Sequence, residues 1–382
     1  MKKRIQSIFP YFVSFIFPLL ILIALFAALQ ITPFGDNTLI ISDANAQYIN
    51  YISYFRTILS GEHSFLYSFS KNLGGNMIGL DSFYLMNPFF LLFAGAEYEM
   101  LPTIFGFVSI LNASMGGLTM YTLLSDIHDH RKSDLIFSTS YALIGYNSVN
   151  CFHLMLLTGP WMLPLVALGI RKIYQKKSPL LYTVSIAAAL IMNFYTGYMI
   201  CMASVFIFLI LYWVRGEKLN ESGSSLLKTY TVASLLGGGL SSFIWLPAIL
   251  SLLSGRVQRV QVSDFSFKEN FPFIEIFSKL FTGAENTDEL VSGHPAIFVG
   301  IFVLALVILY FLNQSVDKRR KTGAAAVLII YLMSFYITTF TSIFHGFNQT
   351  FWFPFRYSFV FSFFLICIAS EEFSFQKDTS YS

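Results

Sequence analysis

Charge is what this sequence has least of. Only 12% of its 382 residues are Asp, Glu, Lys or Arg, against 55% hydrophobic. Soluble domains carry about 25% charged residues, so the composition excludes an ordinary water-soluble fold and points to lipid as the solvent. Cysteine is scarce as well. Cys151, Cys201 and Cys367 lie in apolar stretches with no CxxC spacing, which argues for small core residues and against a metal site or a disulfide framework. The net charge of +3 is too small to suggest nucleic acid as a partner. No nucleophile triad stands out. His63, His153, His294 and His345 lack metal-ligand spacing, and a lone His is more often a hydrogen-bonded structural residue.

Aromatic residues are abundant. The 43 Phe and 21 Tyr suit lipid-facing surfaces and interfacial belts. A crossing needs about 20 apolar residues. By that measure spans are expected near 8–30, 102–124, 135–152, 154–170, 179–195, 197–214, 229–250, 296–313, 323–341 and 355–370. Lys2-Lys3-Arg4 and the apolar run after it open like a signal peptide. No charge interrupts Ile5 to Gly35 and no small-x-small site closes the run, so it reads as a retained first span. Leu135–Ile170 and Ser178–Val214 are charge-free, each long enough for two short spans joined by polar turns at Asn147–Asn150 and Asn193–Gly197. The expected fold is an all-α polytopic membrane protein of about ten transmembrane helices, one domain over 1–382 with a polar tail over 371–382.

The charges orient it. With the N-terminus inside, the inner segments hold 17 of the 24 Lys and Arg and the outer segments 7, a positive-inside pattern. The clusters at 171–177 and 318–321 therefore read as topology anchors rather than phosphate sites. No Asp or Glu falls within an expected span, which counts against an ion-coupled transporter. The expected location is a cell membrane, with the N-terminus cytoplasmic and the working face outside, where the long segments 31–101 and 251–295 lie.

In the first long segment, apolar residues recur at Tyr51, Ile52, Phe55, Ile58 and Leu59, the stripe of an interfacial helix. Ser42 or Asp43 stands where its cap belongs and Gly61 where it ends. Asn72-Leu73-Gly74-Gly75-Asn76 makes a turn, and Phe83–Phe93 is apolar but Pro-broken, an interfacial or partly inserted segment. The second segment reads either as a lid over the first or as an ordinary polar loop. Asp288 and Glu289 in it are the pair that a divalent metal would use, although paired acids in a loop are usually just solvated.

Two residues carry chemistry. Asp43 satisfies free N–H groups if it caps a helix; as a carboxylate near a nucleophilic hydroxyl it accepts a proton. Arg356 stands among aromatics at the outer end of the last span. It reads equally as a snorkelling anchor or as a guanidinium holding a lipid phosphate.

Four stretches in order resemble the bacterial YfhO family, membrane proteins of the GT-C glycosyltransferase type. They are Ser42-Asp43 with Gln47-Tyr48; Asn72-Leu73-Gly74-Gly75 leading to Asn87-Pro88; Asn193-Phe194-Tyr195-Thr196-Gly197; and His345-Gly346-Phe347 with Phe353-Pro354-Phe355-Arg356-Tyr357. The resemblance covers nearly the whole chain. It implies a GT-C-like fold and transfer of a sugar from a polyprenyl-phosphate carrier to a cell-envelope polymer such as teichoic acid. It implies Asp43 as catalyst and Arg356, with Lys71 and His345, at the donor phosphate. It also points to Gln47, Tyr48, Asn72, Tyr195 and His294 as residues around the substrate. Family members are commonly longer, so a truncated or split member is expected. The readings that compete are a lipid-carrier flippase and a non-catalytic envelope assembly subunit.

Overall fold

The computed structural model describes residues 2–71, 73–215, 223–254, 267–283, 293–347, 350 and 352–379. The chain begins with the long helix α1 (Lys2–Ala28). The segment after it carries the short helices α2 (Ile49–Leu59) and α3 (Ile78–Tyr84), with a two-residue hairpin, β1 (Tyr67–Ser68) and β2 (Gly75–Asn76), between them. Then come α4 (Leu101–His128), α5 (Asp134–Ala142), α6 (Gly145–Val149), α7 (Thr158–Tyr174), α8 (Leu180–Met192) and α9 (Phe194–Arg215). The second half contains α10 (Gly223–Leu240), α11 (Ser242–Ser254), α12 (Glu275–Ser278), α13 (Ile301–Leu312), α14 (Lys318–Tyr336), α15 (Thr338–Phe344) and α16 (Ser358–Thr379).

This is an all-α membrane fold. Among the described residues, four helical stretches are long and apolar enough to cross a bilayer: Ile8–Ala28, Tyr98–His128, Phe194–Arg215 and Ser358–Gln376. Together α10 and α11, bent by 70° at their junction, are long and apolar enough for a fifth, as one broken span or as a re-entrant loop. The bend follows Gly237-Gly238-Gly239. There the Ser241 hydroxyl donates back to the carbonyl of Gly237 (2.9 Å), a bond that competes with the helical ladder. Leu20, Leu235 and Ile308 on α1, α10 and α13 are more than half exposed, as a lipid-facing surface requires.

Other expected spans are interrupted. Residues 135–152 form two short helices, α5 and α6, of 9 and 5 residues. At about 1.5 Å per residue neither alone reaches across a hydrocarbon core. The break holds an incoming strand of chain: the Gly145 amide donates to the Phe298 carbonyl (2.8 Å). Residues 323–341 divide at Ile337, which is extended. There Asn270 donates to the Tyr336 carbonyl (2.8 Å) and Thr338 to that of Lys268 (3.0 Å). Extended chain thus takes up the hydrogen bonds that each helix gives up. The stretch expected as a polar tail instead continues α16 to Thr379. Glu372 is buried in it, accepting twice from the Asn313 amide (2.9 and 3.1 Å).

α4 sits at the centre, packed by α1, α5 and α7; α8 joins α7 to α9 and α10, and α16 packs on α13. Small residues let the helices approach, as membrane bundles require. A Cβ on Gly117 of α4 would lie 2.5 Å from the Ser14 carbonyl of α1, and one on Gly169 of α7 would lie 2.5 Å from the Cα of Tyr182 on α8. Backbone cannot rotate aside as a side chain can. Gly169→Ala is therefore expected to force α7 from α8 and cost about 1–3 kcal/mol. Gly238→Ala, where nothing lies within 4 Å of the added atom, is expected to be neutral or stabilising. Thermal unfolding of the two purified variants distinguishes these outcomes.

Candidate functional site

Two buried asparagines fasten the segment between α1 and α4 to the bundle. Asn193 ends α8 and caps α9: its Oδ1 accepts from the Thr196 amide (2.8 Å) while its Nδ2 donates to the Phe83 carbonyl (2.8 Å). Asn87 accepts from the Phe89 amide (3.0 Å) and donates to Asn112 Oδ1 (3.1 Å) and the Leu154 carbonyl (3.2 Å). Asn112 in turn accepts from the Trp161 indole (3.0 Å). These bonds satisfy polar groups that burial would otherwise make costly. They also fix where α3 and the turn after it meet α4, α7 and α9.

Asp43 precedes a π-helical turn, Ala44–Tyr48, that leads into α2. It occupies the cap position, but its side chain makes no cap hydrogen bond. Its Oδ2 accepts instead from the Tyr48 hydroxyl (3.3 Å). The π-turn's wider spacing brings Tyr48, five residues on, back to the carboxylate. Burial first, then the Asp43 charge, holds the Tyr48 phenol protonated far above its ordinary range, so it remains a donor. Asp43 itself is half-buried. Beside it, the Tyr84 hydroxyl donates to Gln47 Oε1 (3.5 Å), and the Tyr84 ring lies against Tyr48 and Tyr51. Burial, then Tyr51, pushes the Tyr84 phenol up to about 12. The cavity beneath Tyr48, Tyr51 and Tyr84 is only about 10 Å³, room for about one water. A larger ligand must therefore lie on the half-exposed side, with Asp43 and Gln47.

Arg356 forms the other half of the cluster. Its Nε donates to the Phe353 carbonyl (3.1 Å) and its Nη2 to that of Trp352 (2.9 Å). Its guanidinium carbon stands 5.6 Å from the centre of the Tyr195 ring, a cation–π distance. Phe353 and Phe355 take left-handed φ values of 52° and 59°, which aromatic residues rarely adopt. The reversals seat Phe353 against His153 (4.0 Å) and Phe355 against Phe271 (5.6 Å). Tyr195 and His345 share a 2.6 Å hydrogen bond. His153 is sandwiched between Phe152 and Phe353, with Tyr48 at 5.8 Å. Burial, reinforced by Arg356, lowers both histidines to about 3. They stay neutral, and Arg356 supplies the positive charge. Asp43 and Arg356 both act electrostatically on Tyr48 and Tyr84.

The structure thus joins Asp43, Gln47, Tyr48, Tyr195, His345 and Arg356, and adds Tyr84 and His153. Tyr84 carried no sequence signal of its own, and His153 only that of a lone His at a turn. Lys71 lies elsewhere: its ammonium donates to the Asn76 carbonyl in the β1–β2 hairpin. His294 pairs with Glu275 (2.8 Å) and packs at a tilt against Phe271, one ring away from Phe355. Asn72, Asp288 and Glu289 lie outside the described residues. Among the described residues no three His, Cys, Asp or Glu converge as metal ligands.

α3 carries one more acid. Asp81 is fully buried and neither carboxylate oxygen has a hydrogen-bond partner. Burial raises it from 3.8 to about 7, against the opposing pull of Lys71. A carboxyl that holds its proton more tightly when folded loses stability as pH climbs from its unfolded value towards its folded one. The cost is therefore small at pH 4 and complete above pH 7. Asp81→Asn is expected to stabilise the protein by roughly 1–3 kcal/mol at pH 8 and by much less at pH 5. Equal melting shifts at the two pH values would exclude an ionised Asp81 as the cause.

Comparison with known proteins agrees with a membrane protein. The family model described as bacterial membrane protein YfhO matches residues 14–381. The protein described as uncharacterized protein YfhO of Bacillus subtilis (strain 168) is 23% identical over 316 residues, covering 77% of this chain and 34% of that protein. The chain thus spans about a third of the length of the curated relative it matches. No solved structure matches it. With a family match running from α1 to the end of α16, the chain belongs to the YfhO family of bacterial membrane proteins.

Proposed function

We propose that this protein transfers a sugar from a polyprenyl-phosphate carrier to a cell-envelope polymer such as teichoic acid, at the extracytoplasmic face. The observation that carries the reading is the placement, in one aromatic cluster, of a half-buried carboxylate and a guanidinium that meets no carboxylate among the described residues. Asp43 is held by Tyr48 and Arg356 by backbone carbonyls.

In this reading the acceptor hydroxyl gives its proton to Asp43 as its oxygen attacks the anomeric carbon. The bond from that carbon to the phosphate oxygen breaks, and the polyprenyl phosphate leaves with the electron pair. Arg356 meets the negative charge that develops on the phosphate. His345 is neutral and contributes hydrogen bonding rather than charge. Tyr48 keeps the Asp43 carboxylate aimed, and Gln47, Tyr84 and Tyr195 surround the sugar. Lys71 and His294, on neighbouring elements, belong to the rim of the same face.

The reading extends to topology. The bundle is of the GT-C kind, with its N-terminus cytoplasmic. The helices interrupted by extended chain pair with neighbours to make up the remaining crossings towards ten. Support comes from the Lys and Arg at the far ends of α7 and α9 and the near end of α14, the bias expected of cytoplasmic segments.

Asp43→Asn tests the mechanism. The amide oxygen still accepts from Tyr48 but no longer takes a proton. Transfer from a polyprenyl-phosphate sugar in isolated membranes is expected to fall by about 10²–10⁴-fold, with expression and melting temperature unchanged. Full glycosylation of the envelope polymer by that variant, read by mass spectrometry, would show that Asp43 is not the base.

A further inference from the structure

At the other end of the bundle the chain gathers arginine. Arg171 ends α7, Arg215 ends α9, and Arg319 and Arg320 begin α14. These positions lie far apart in sequence, yet they line one open cleft of about 780 Å³ with Tyr174, Gln175 and Asp317. Four cations and one carboxylate face it. Tyr195 and Arg215 bound α9, so at about 1.5 Å per residue the cleft lies roughly 30 Å from the Arg356 cluster.

Topology anchors need only be near the membrane surface, and they are usually solvated and unordered. These are ordered. Asp126 Oδ2 accepts from Arg171 Nε (2.8 Å), and the Asp126 carbonyl accepts from Nη2 (3.0 Å). Glu371 pairs with Arg320. The Tyr174 carbonyl accepts from Arg215 Nη1 (2.8 Å). Each contact fixes one edge of a guanidinium and leaves other N–H groups for a ligand. The Arg319 guanidinium has no partner among the described residues; only its backbone is bonded, the amide to Asp317 (2.7 Å) and the carbonyl to the Thr322 hydroxyl (3.1 Å).

We propose that this cleft binds a phosphate-bearing anion, and that the headgroup of an anionic membrane lipid supplies it. A set of forked N–H donors suits phosphate oxygens, and basic pockets between transmembrane helices are suited to anionic headgroups. The walls favour lipid over a soluble anion. Leu211 and Val214 line the cleft. Next to them Trp213 is about half exposed, and its indole donates to Thr322 on α14 (3.0 Å), the posture of an interfacial tryptophan. Beside α14, the exposed Leu312 ends α13. An acyl chain leaving the cleft thus meets apolar surface at once. This site is separate from the Asp43 cluster and stands whether or not that cluster transfers sugar.

Arg319→Gln removes the guanidinium with no internal partner, so the fold is expected to survive; Arg319→Glu reverses its charge. The full chain in detergent micelles is titrated with phosphatidylglycerol and with a phosphate-free diacylglycerol glycolipid. Binding is read by native mass spectrometry and by the rise in melting temperature. Phosphatidylglycerol is expected to bind selectively, about tenfold more weakly to the Gln variant if one charge-assisted pair is lost, and more weakly still to the Glu variant. Inorganic phosphate and glycerol 3-phosphate form the soluble arm. Binding of these as tight as that of the lipid would keep the phosphate site and overturn the lipid as its source. Equal binding of both lipids, or equal phosphatidylglycerol binding by wild type and both variants, would overturn the proposal.

Discussion

The constraint on which this structure depends is the cost of a charge in hydrocarbon. An ionised side chain at mid-bilayer is expensive enough that spans avoid it or pair it, and this chain does both: the middles of its spans are uncharged, and Asp126 and Glu372 near span ends are partnered. From Phe194 to Val214, α9 carries no charged residue; Tyr195 stands at one end, and Arg215 closes the other. α7 gathers its cations in its last turn and α14 in its first. The charges are thereby sorted to two ends about 30 Å apart by helical rise, and what each end does follows from what was sorted there. One holds a carboxylate and a guanidinium within an aromatic wall, the other a convergence of arginines.

Much of this was legible because hydropathy and charge are local properties. α1, α4, α9 and α16 fall where apolar runs predicted them, and the helix expected after Asp43 is α2. The motif Asn193–Gly197 marks a real corner, since one asparagine both caps α9 and holds Phe83. The interruptions were not legible. A charge-free run such as 135–152 looks the same whether it is one helix or two. The break at Gly145 is set by Phe298, about 150 residues later, and no window on the sequence contains both. Glu372 was assigned to a tail because an acid ends an apolar pattern. Its burial depends on Asn313, which reaches it from another helix.

The candidate site shows the same division. Asp43, Gln47, Tyr48 and Arg356 stood out from position and resemblance, and the structure brings them together. The role of Asp43 as a helix cap did not follow. A cap needs its side chain turned towards the following amides, and the π-turn offers a Tyr hydroxyl instead. His153 and Tyr84 were invisible as site members because what makes them so is contact with rings from other elements: Phe353 for one, Tyr48 and Tyr51 for the other.

The neutrality of the two histidines gives the cluster its electrostatic character. Charged imidazoles beside Arg356 would repel it, and burial and Arg356 together keep them uncharged. With the Tyr48 and Tyr84 phenols protonated as well, the formal charges in the wall, among the described residues, are one carboxylate and one guanidinium. Each is kept from collapsing onto the other, because Tyr48 occupies Asp43 and the Trp352 and Phe353 carbonyls occupy Arg356. A site built in this way presents a proton acceptor and a cation held apart; in the proposed transfer the first would meet the acceptor hydroxyl and the second the phosphate of the donor.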